Sequence, residues 1–131
     1  MNIIKANTEH LEDLVQLFDA YRIFYEQESD KESARQFLQE RITKNESVIF
    51  IAYIDDVAIG FTQLYPSFSS VSMKRSYILN DLYVHKDYRK KGVGSALLNK
   101  AKQLCKEKNY KGIDLQTATD TPAHFLYESL G

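Results

Sequence analysis

The stretch Ile78-Leu79-Asn80-Asp81-Leu82-Tyr83-Val84, followed by a polar loop from His85 to Lys91 and then by Gly92-Val93-Gly94-Ser95, decides the fold. Its first part is β-branched, aromatic and apolar, which predicts a strand over Ser76 to Val84. After the glycines, Val93, Ala96, Leu97, Ala101, Leu104 and Cys105 recur at helical spacing, with Ser95, Asn99, Lys102 and Lys106 between them. A helix from about Gly94 to Lys108 follows, its apolar face turned to a core. Glycines let a backbone approach a ligand closely, and a helix N-terminus offers unpaired N–H groups and a partial positive charge. Arg89, Lys90 and Lys91 add three cations just before that terminus. A pyrophosphate fits such a place.

Outward from this segment the pattern stays regular. Asn2 to Lys5 is a short strand, and Leu11, Leu14, Val15, Phe18, Tyr21 and Tyr25 then mark an amphipathic helix. A polar break, Glu26 to Asp30, precedes a second helix from about Lys31 to Lys44, with Ala34, Phe37, Leu38 and Ile42 on one face. Ser47 to Ile54 and a run beginning at Val57, separated by Asp55-Asp56, predict a hairpin. Tyr65 to Ser70 is expected to be a loop or bulge beside a cleft. On the far side, Ile113 to Ala118 is a strand and Pro122 opens a last short helix ending at Gly131. The order β-αα-β-β-β-α-β-α implies an α/β (α+β mixed) fold, a mixed and mostly antiparallel sheet flanked by helices. One domain spans 1-131, because no linker, repeat or low-complexity tract interrupts it.

Composition excludes several function classes. Among 131 residues, 17 Lys plus Arg against 18 Asp plus Glu give a net charge of -1, so no general basic field holds a nucleic acid. The longest apolar run, Val48 to Ile54, is far below the ~20 residues of a membrane span. Met1-Asn2-Ile3-Ile4-Lys5 lacks the layout of a signal peptide, which predicts a cytoplasmic protein. A single cysteine, Cys105, excludes an internal disulfide and falls on the buried helix face, where an inert thiol is expected. His10, His85 and His124 are scattered without metal-ligand spacing, so no metal is expected.

The glycine loop has competing readings. Gly92 and Gly94 could simply make a turn beside a solvated basic face. A dinucleotide fingerprint is suggested by Gly92-Val93-Gly94 with Asp114 about 20 residues on. Against it, Leu97 stands where the third small residue belongs, and a long polar loop separates strand from glycine. A Walker-type loop is excluded because no Gly-Lys-Ser/Thr follows.

Arg89-Lys90-Lys91-Gly92-Val93-Gly94 resembles the acetyl-CoA signature Arg/Gln-x-x-Gly-x-Gly/Ala of the GCN5-related N-acetyltransferase (GNAT) family. Ala123-His124-Phe125-Leu126-Tyr127-Glu128-Ser129-Leu130-Gly131 resembles the family's closing helix. Two motifs in the right order are far more specific than either alone, and the order of elements agrees along the whole chain. The resemblance implies that acetyl-CoA is the acetyl donor, its pyrophosphate held by the backbone from Lys90 to Ser95, including Lys91, Gly92, Val93 and Gly94, with help from Arg89. It implies that the pantetheine arm runs along Asn80 to Val84, pairing with Leu82, Tyr83 and Val84. It also implies that Tyr127 protonates the leaving thiolate, and that a strand N–H, of Leu82 or Val84, serves the oxyanion.

The chain departs from the family pattern at three places. Asn80 stands where many relatives carry a Glu base. Asn cannot accept a proton but could orient a water. Asp81 is the nearest carboxylate, although strand alternation is expected to turn it to the opposite face from Asn80. Asp120 stands where relatives have an Asn contacting the coenzyme. Relatives also continue past Leu-Gly with one further strand, which is either truly missing from this protein or lies beyond Gly131. Without it, Ile113 to Ala118 would be a bare edge able to pair with a second copy, a homodimer.

For the acceptor, the resemblance implies that the helix pair forms one pocket wall, where Tyr21-Arg22-Ile23-Phe24-Tyr25 precedes Glu26, Glu28 and Asp30. Aromatics would shape an apolar slot, the acidic residues would attract a cationic amine, and Arg22 would pair with a carboxylate. The segment is similar to a branch of yeast acetyltransferases acting on histones, polyamines or amino acids. The expected activity is acetyl transfer from acetyl-CoA to the primary amine of a small molecule, a polyamine or amino acid, by direct attack in a ternary complex. A protein lysine acceptor and a non-catalytic acyl-CoA sensor are the alternatives.

Overall fold

The computed structural model describes residues 1–115. They form β1 (Asn2–Lys5), a 3-10 turn (Thr8–His10), α1 (Leu11–Phe24), α2 (Lys31–Thr43), β2 (Val48–Ile54), β3 (Val57–Ser69), β4 (Lys74–Val84), α3 (Val93–Glu107) and β5 (Ile113–Leu115). The expected closing helix, and with it Asp120 and Tyr127, lies outside the described residues. The element order and the mixed α/β class expected from the sequence are seen over the described span.

Local chemistry explains the boundaries. Asn7 Oδ1 accepts the Glu9 N–H at 2.8 Å, while His10 Nδ1 accepts the Asn7 N–H at 3.0 Å. These reciprocal bonds start the first helical turn. Asp30 caps α2 by accepting the Ser33 N–H at 3.1 Å. Asp55 and Asp56 turn the β2–β3 hairpin with φ of 49° and 65°, the left-handed pair that a two-residue hairpin needs.

The sheet runs β1-β2-β3-β4-β5, antiparallel throughout except for β4 with β5, which are parallel. β2 reads as one unbroken apolar run because both its faces are covered. Phe50 and Ala52 pack toward α3, whereas Ile49 and Ile51 pack toward α1 and α2. Of the helix face expected on α3, Val93, Leu97, Ala101 and Cys105 are buried, and Leu104 is partly so.

Two expectations are corrected. Tyr65 to Ser69 is no loop: β3 continues through Ser69, paired with β4 from Lys74, and only the tip turns. Pro66 breaks no ladder within this hairpin, where it lies opposite Tyr77. The second correction concerns β4. Gln63 pairs with Asp81 but Leu64 pairs with Leu79, so Asn80 is an extra residue, a β-bulge. The extra residue keeps Tyr77, Leu79, Leu82 and Val84 in one core cluster, and places Asp81 with Tyr83 on the opposite side. Asn80 and Asp81 therefore do not point to opposite faces. The Asn80 amide instead donates to Asp81 Oδ1 at 3.2 Å.

Gly60 fixes how closely α3 approaches the sheet. A Cβ there would lie 2.9 Å from the Tyr83 carbonyl oxygen and 3.4 Å from Val93 Cγ1. Gly60→Ala is expected to cost about 1–3 kcal/mol by overpacking, read as a lower urea midpoint. An unchanged midpoint would contradict this contact.

Candidate active site

The site grows from the C-terminal half of β4. The His85 N–H donates to the Ile59 carbonyl at 2.8 Å, which turns His85 toward β3. Antiparallel pairing alternates inward and outward residues, so Val84 and Leu82 turn their N–H and C=O groups to the other edge. The Val84 carbonyl is found there, accepting a hydrogen bond from Arg89 Nε at 2.8 Å. Over the described residues, β5 pairs with Tyr77 to Leu79. Among the described residues, the edge of β4 beyond the bulge therefore has no strand beside it. Main-chain donors at Leu82 and Val84 face that opening.

The same edge leads into the glycine loop. Lys90 has φ of 61° and Gly92, the N-cap of α3, has φ of 83°. The helix's first backbone bond runs from the Ala96 N–H to the Gly92 carbonyl at 3.0 Å. The N–H groups of Val93, Gly94 and Ser95 lie ahead of it, without helical acceptors. Space beside Gly92 is open: a Cβ there would meet nothing within 4 Å. Lys90, Lys91 and Gly92 are exposed, whereas Val93 and Gly94 are buried. The arrangement suits a phosphate group.

Arg89 is more constrained than its place in the motif suggests. Besides its bond to Val84, its guanidinium lies 4.9 Å from the Phe24 ring centre and 5.5 Å from that of Tyr83. It thereby ties the loop to α1 and β4. Sequence reasoning missed this clamp, because Phe24 and Tyr83 meet only in the folded chain, at 6.2 Å between ring centres.

On the other face, α1 supplies an aromatic wall. Tyr21 packs edge-on against Tyr25 at 5.1 Å and Phe61 at 5.6 Å, and Phe24 contacts Tyr25 at 5.9 Å. The loop after α1 is held by Asp19, only 3 % exposed, which accepts the Ser29 hydroxyl at 2.6 Å and the Asp30 N–H at 2.8 Å. Arg22 donates Nη1 to the Glu28 carbonyl at 3.2 Å. The Asp30 carboxyl is held below its usual range, first by its bonds to Ser33 and least by the Arg22 charge.

A buried polar chain lies behind the bulge. The Ser47 hydroxyl donates to Gln63 Oε1 at 2.9 Å, and Gln63 Nε2 donates to Asp81 Oδ2 at 2.7 Å. The Asp81 carbonyl accepts the Thr62 hydroxyl at 2.8 Å. Tyr65 stands close enough that burial, and then the Asp81 charge, push its hydroxyl up to about 12. Ser47 and Gln63 were not singled out from the sequence. Burial also raises the Cys105 thiol, consistent with an inert core residue.

Among the described residues, no group of three His, Cys, Asp or Glu side chains could hold a metal, and no helix is long and apolar enough to cross a membrane.

The chain is 48% identical over 132 residues to "Uncharacterized N-acetyltransferase YhfO" of Bacillus subtilis (strain 168), covering 100% of this chain and 89% of the relative. It is 38% identical over 105 residues to a "Probable acetyltransferase" of Haemophilus influenzae, covering 79% of this chain and 72% of that protein. The fold superposes on the crystal structure of a probable acetyltransferase with a TM-score of 0.91 at 46% sequence identity, covering 100% of this chain and 89% of the other. The family model described as Acetyltransferase (GNAT) family matches residues 11–131. On the family model across residues 11–131 and the relative 48% identical along the whole chain, the protein belongs to the GNAT acetyltransferases.

Proposed function

We propose that the protein moves the acetyl group of acetyl-CoA to the primary amine of a small molecule, a polyamine or amino acid, with both substrates bound together. The observation that carries this reading is continuity: the outward-facing N–H groups of Leu82 and Val84 lead directly to the open N-terminus of α3. Acetyl-CoA supplies an activated thioester.

The residues around it have separable tasks. Backbone donors from Lys90 to Ser95 receive the pyrophosphate, assisted by the Lys90 and Lys91 charges, while Arg89 holds the loop in place. The edge of β4 at Leu82, Tyr83 and Val84 aligns the pantetheine arm, and an N–H there stabilises negative charge developing on the acetyl oxygen. Tyr25 and Arg22 border the acceptor pocket. The acceptor nitrogen must shed a proton before it attacks, with Asn80 orienting a water and Asp81 the nearest carboxylate. Tyr127, carried from the family motif, returns a proton to the thiolate. The same reading has the protein act in the cytoplasm as a single domain, as a homodimer.

The test is release of CoA thiol from acetyl-CoA across polyamines, amino acids of both hands, aminoglycosides and a histone-tail peptide. Amine-dependent release is expected, and Tyr127→Phe should lower it about 100-fold, the usual worth of a general acid. Acetyl-CoA binding, checked by calorimetry, should persist in that variant. Binding without release by any amine would favour an acyl-CoA sensor instead.

A further inference from the structure

The end of α1 is fixed by a closed set of backbone bonds. The Gln27 N–H donates to the Arg22 carbonyl and the Glu26 N–H to the Ile23 carbonyl, both at 2.9 Å, with Glu26 in the left-handed region at φ of 64°. This pair of bonds closes a helix whose next residue turns left-handed, a place usually given to glycine. A glutamate there is strained, so the position of Phe24, the last residue of α1, is set by more than helix propensity. Phe24 nevertheless keeps 36 % of its surface exposed. Its ring lies 4.9 Å from the Arg89 guanidinium, 5.9 Å from the Tyr25 ring and 6.2 Å from the Tyr83 ring.

Arg89 is held by neutral groups. Nε donates to the Val84 carbonyl at 2.8 Å, and the Phe24 and Tyr83 rings lie against the guanidinium. Among the described residues Arg89 forms no ion pair, and its Nη groups have no protein acceptor. Lys91 is held in a similar way, with Nζ 5.6 Å from the centre of the Tyr88 ring. Asp87, the carboxylate nearest in sequence, faces His85 Nδ1 at 3.7 Å instead. A carboxylate beside Arg89 would orient it but would also cancel its charge. A ring face attracts the cation through its quadrupole and leaves the net charge in place for an anion.

We propose that Phe24 is a positioning residue for the acetyl donor: with Tyr83 it holds the Arg89 guanidinium at the start of the glycine loop, its charge un-neutralised and its Nη groups left for the pyrophosphate. The inference rests on the acetyltransferase reading and adds to it a residue outside the glycine-loop signature, on a different element. The helix that supplies the aromatic wall thereby also orients a cation of the donor site. Tyr83 is 8 % exposed and belongs to the core, so Phe24 is the ring that can be changed at the surface.

The probe is CoA, titrated by calorimetry into the whole protein. Phe24→Leu keeps an apolar side chain but removes the ring face, and should raise the CoA Kd about fivefold. Phe24→Tyr returns a ring and should recover the affinity to within about twofold of wild type. Arg89→Gln should weaken CoA about tenfold. In that background Phe24→Leu should add less than about 1.5-fold, because the ring has no cation left to hold. A fivefold loss in both backgrounds would show that Phe24 acts on the fold and not through Arg89, and would overturn the proposal. So would an unchanged Kd in Phe24→Leu, or Phe24→Tyr binding as weakly as Phe24→Leu. Should Phe24→Leu fold poorly, Phe24→Met carries the same comparisons.

A readout without ligand tests the clamp itself. In the proton–nitrogen spectrum, the Arg89 Nε–H signal should move in Phe24→Leu through loss of the ring current and exchange faster with water. An unmoved signal would contradict the contact. Failure of the broader reading looks different. Wild-type protein that binds no CoA, with the Arg89 signal still moved by Phe24→Leu, would sink the acetyltransferase reading and the donor role of the clamp with it. Wild-type protein that binds CoA and turns over, with an affinity untouched by Phe24→Leu, would sink this proposal alone.

Discussion

Replacing Gly92 by Asp is expected to weaken acetyl-CoA binding about 100-fold, roughly 2.7 kcal/mol, and to cost about 1–2 kcal/mol of stability for the left-handed backbone. Gly92 has φ of 83°, and Asp tolerates the left-handed region better than most residues. A Cβ there meets no neighbour within 4 Å, so the fold accommodates the side chain. A carboxylate at a helix N-terminus complements the dipole and competes with a phosphate for the positive end of the helix and its free N–H groups. Those are the donors a pyrophosphate needs. The variant should therefore melt a few degrees below wild type yet stay folded, while calorimetry with CoA shows the far larger loss of binding. Unchanged affinity would mean that side chains of the basic loop, and not the helix N-terminus, hold the phosphates.

Asp19→Ala should have the largest effect on stability, about 2–4 kcal/mol. Asp19 is 3 % exposed and joins α1 to the start of α2 through Ser29 and Asp30. Without it, the Ser29 hydroxyl and the Asp30 N–H lose a charged acceptor, and the loop bearing Glu26 and Glu28 is untethered. A fall of about 10 °C in the melting temperature follows for a domain of this size. Because the glycine loop lies elsewhere, the KM for the acceptor should rise while that for acetyl-CoA stays near wild type. Asp19→Asn keeps one acceptor oxygen and should lie between the two. A variant as stable as wild type would show that the loop is anchored by other contacts.

Much of this architecture is legible in the sequence because it follows from periodicity. The α3 stripe from Val93 to Cys105, the apolar run of β2 and the Asp55-Asp56 turn each declare one local geometry, and the folded chain adopts it. Tyr65 to Ser70 misleads because Pro66, Ser67 and two further serines are turn formers, yet a long hairpin tolerates them where its ladder is already anchored. The bulge was readable in principle. Tyr77 and Leu79 alternate in one phase and Leu82 and Val84 in the other, and only an extra residue at Asn80-Asp81 reconciles the two. Gln63 carried no such local mark. A glutamine between Thr62 and Leu64 in an apolar strand gains its meaning only from pairing opposite Asp81, a contact 18 residues away in sequence. The Arg89 clamp is of the same kind, since Phe24, Tyr83 and Arg89 come from three separate elements.

The measurement that bears most directly on the account is mass spectrometry of 1,4-diaminobutane incubated with acetyl-CoA and the wild-type protein, with CoA thiol release followed in parallel. The account predicts a diamine heavier by one acetyl group, formed in step with free CoA and greatly reduced by Gly92→Asp. CoA released at the same rate with and without amine, with no acetylated product from the diamine or any amine in the panel, would contradict it.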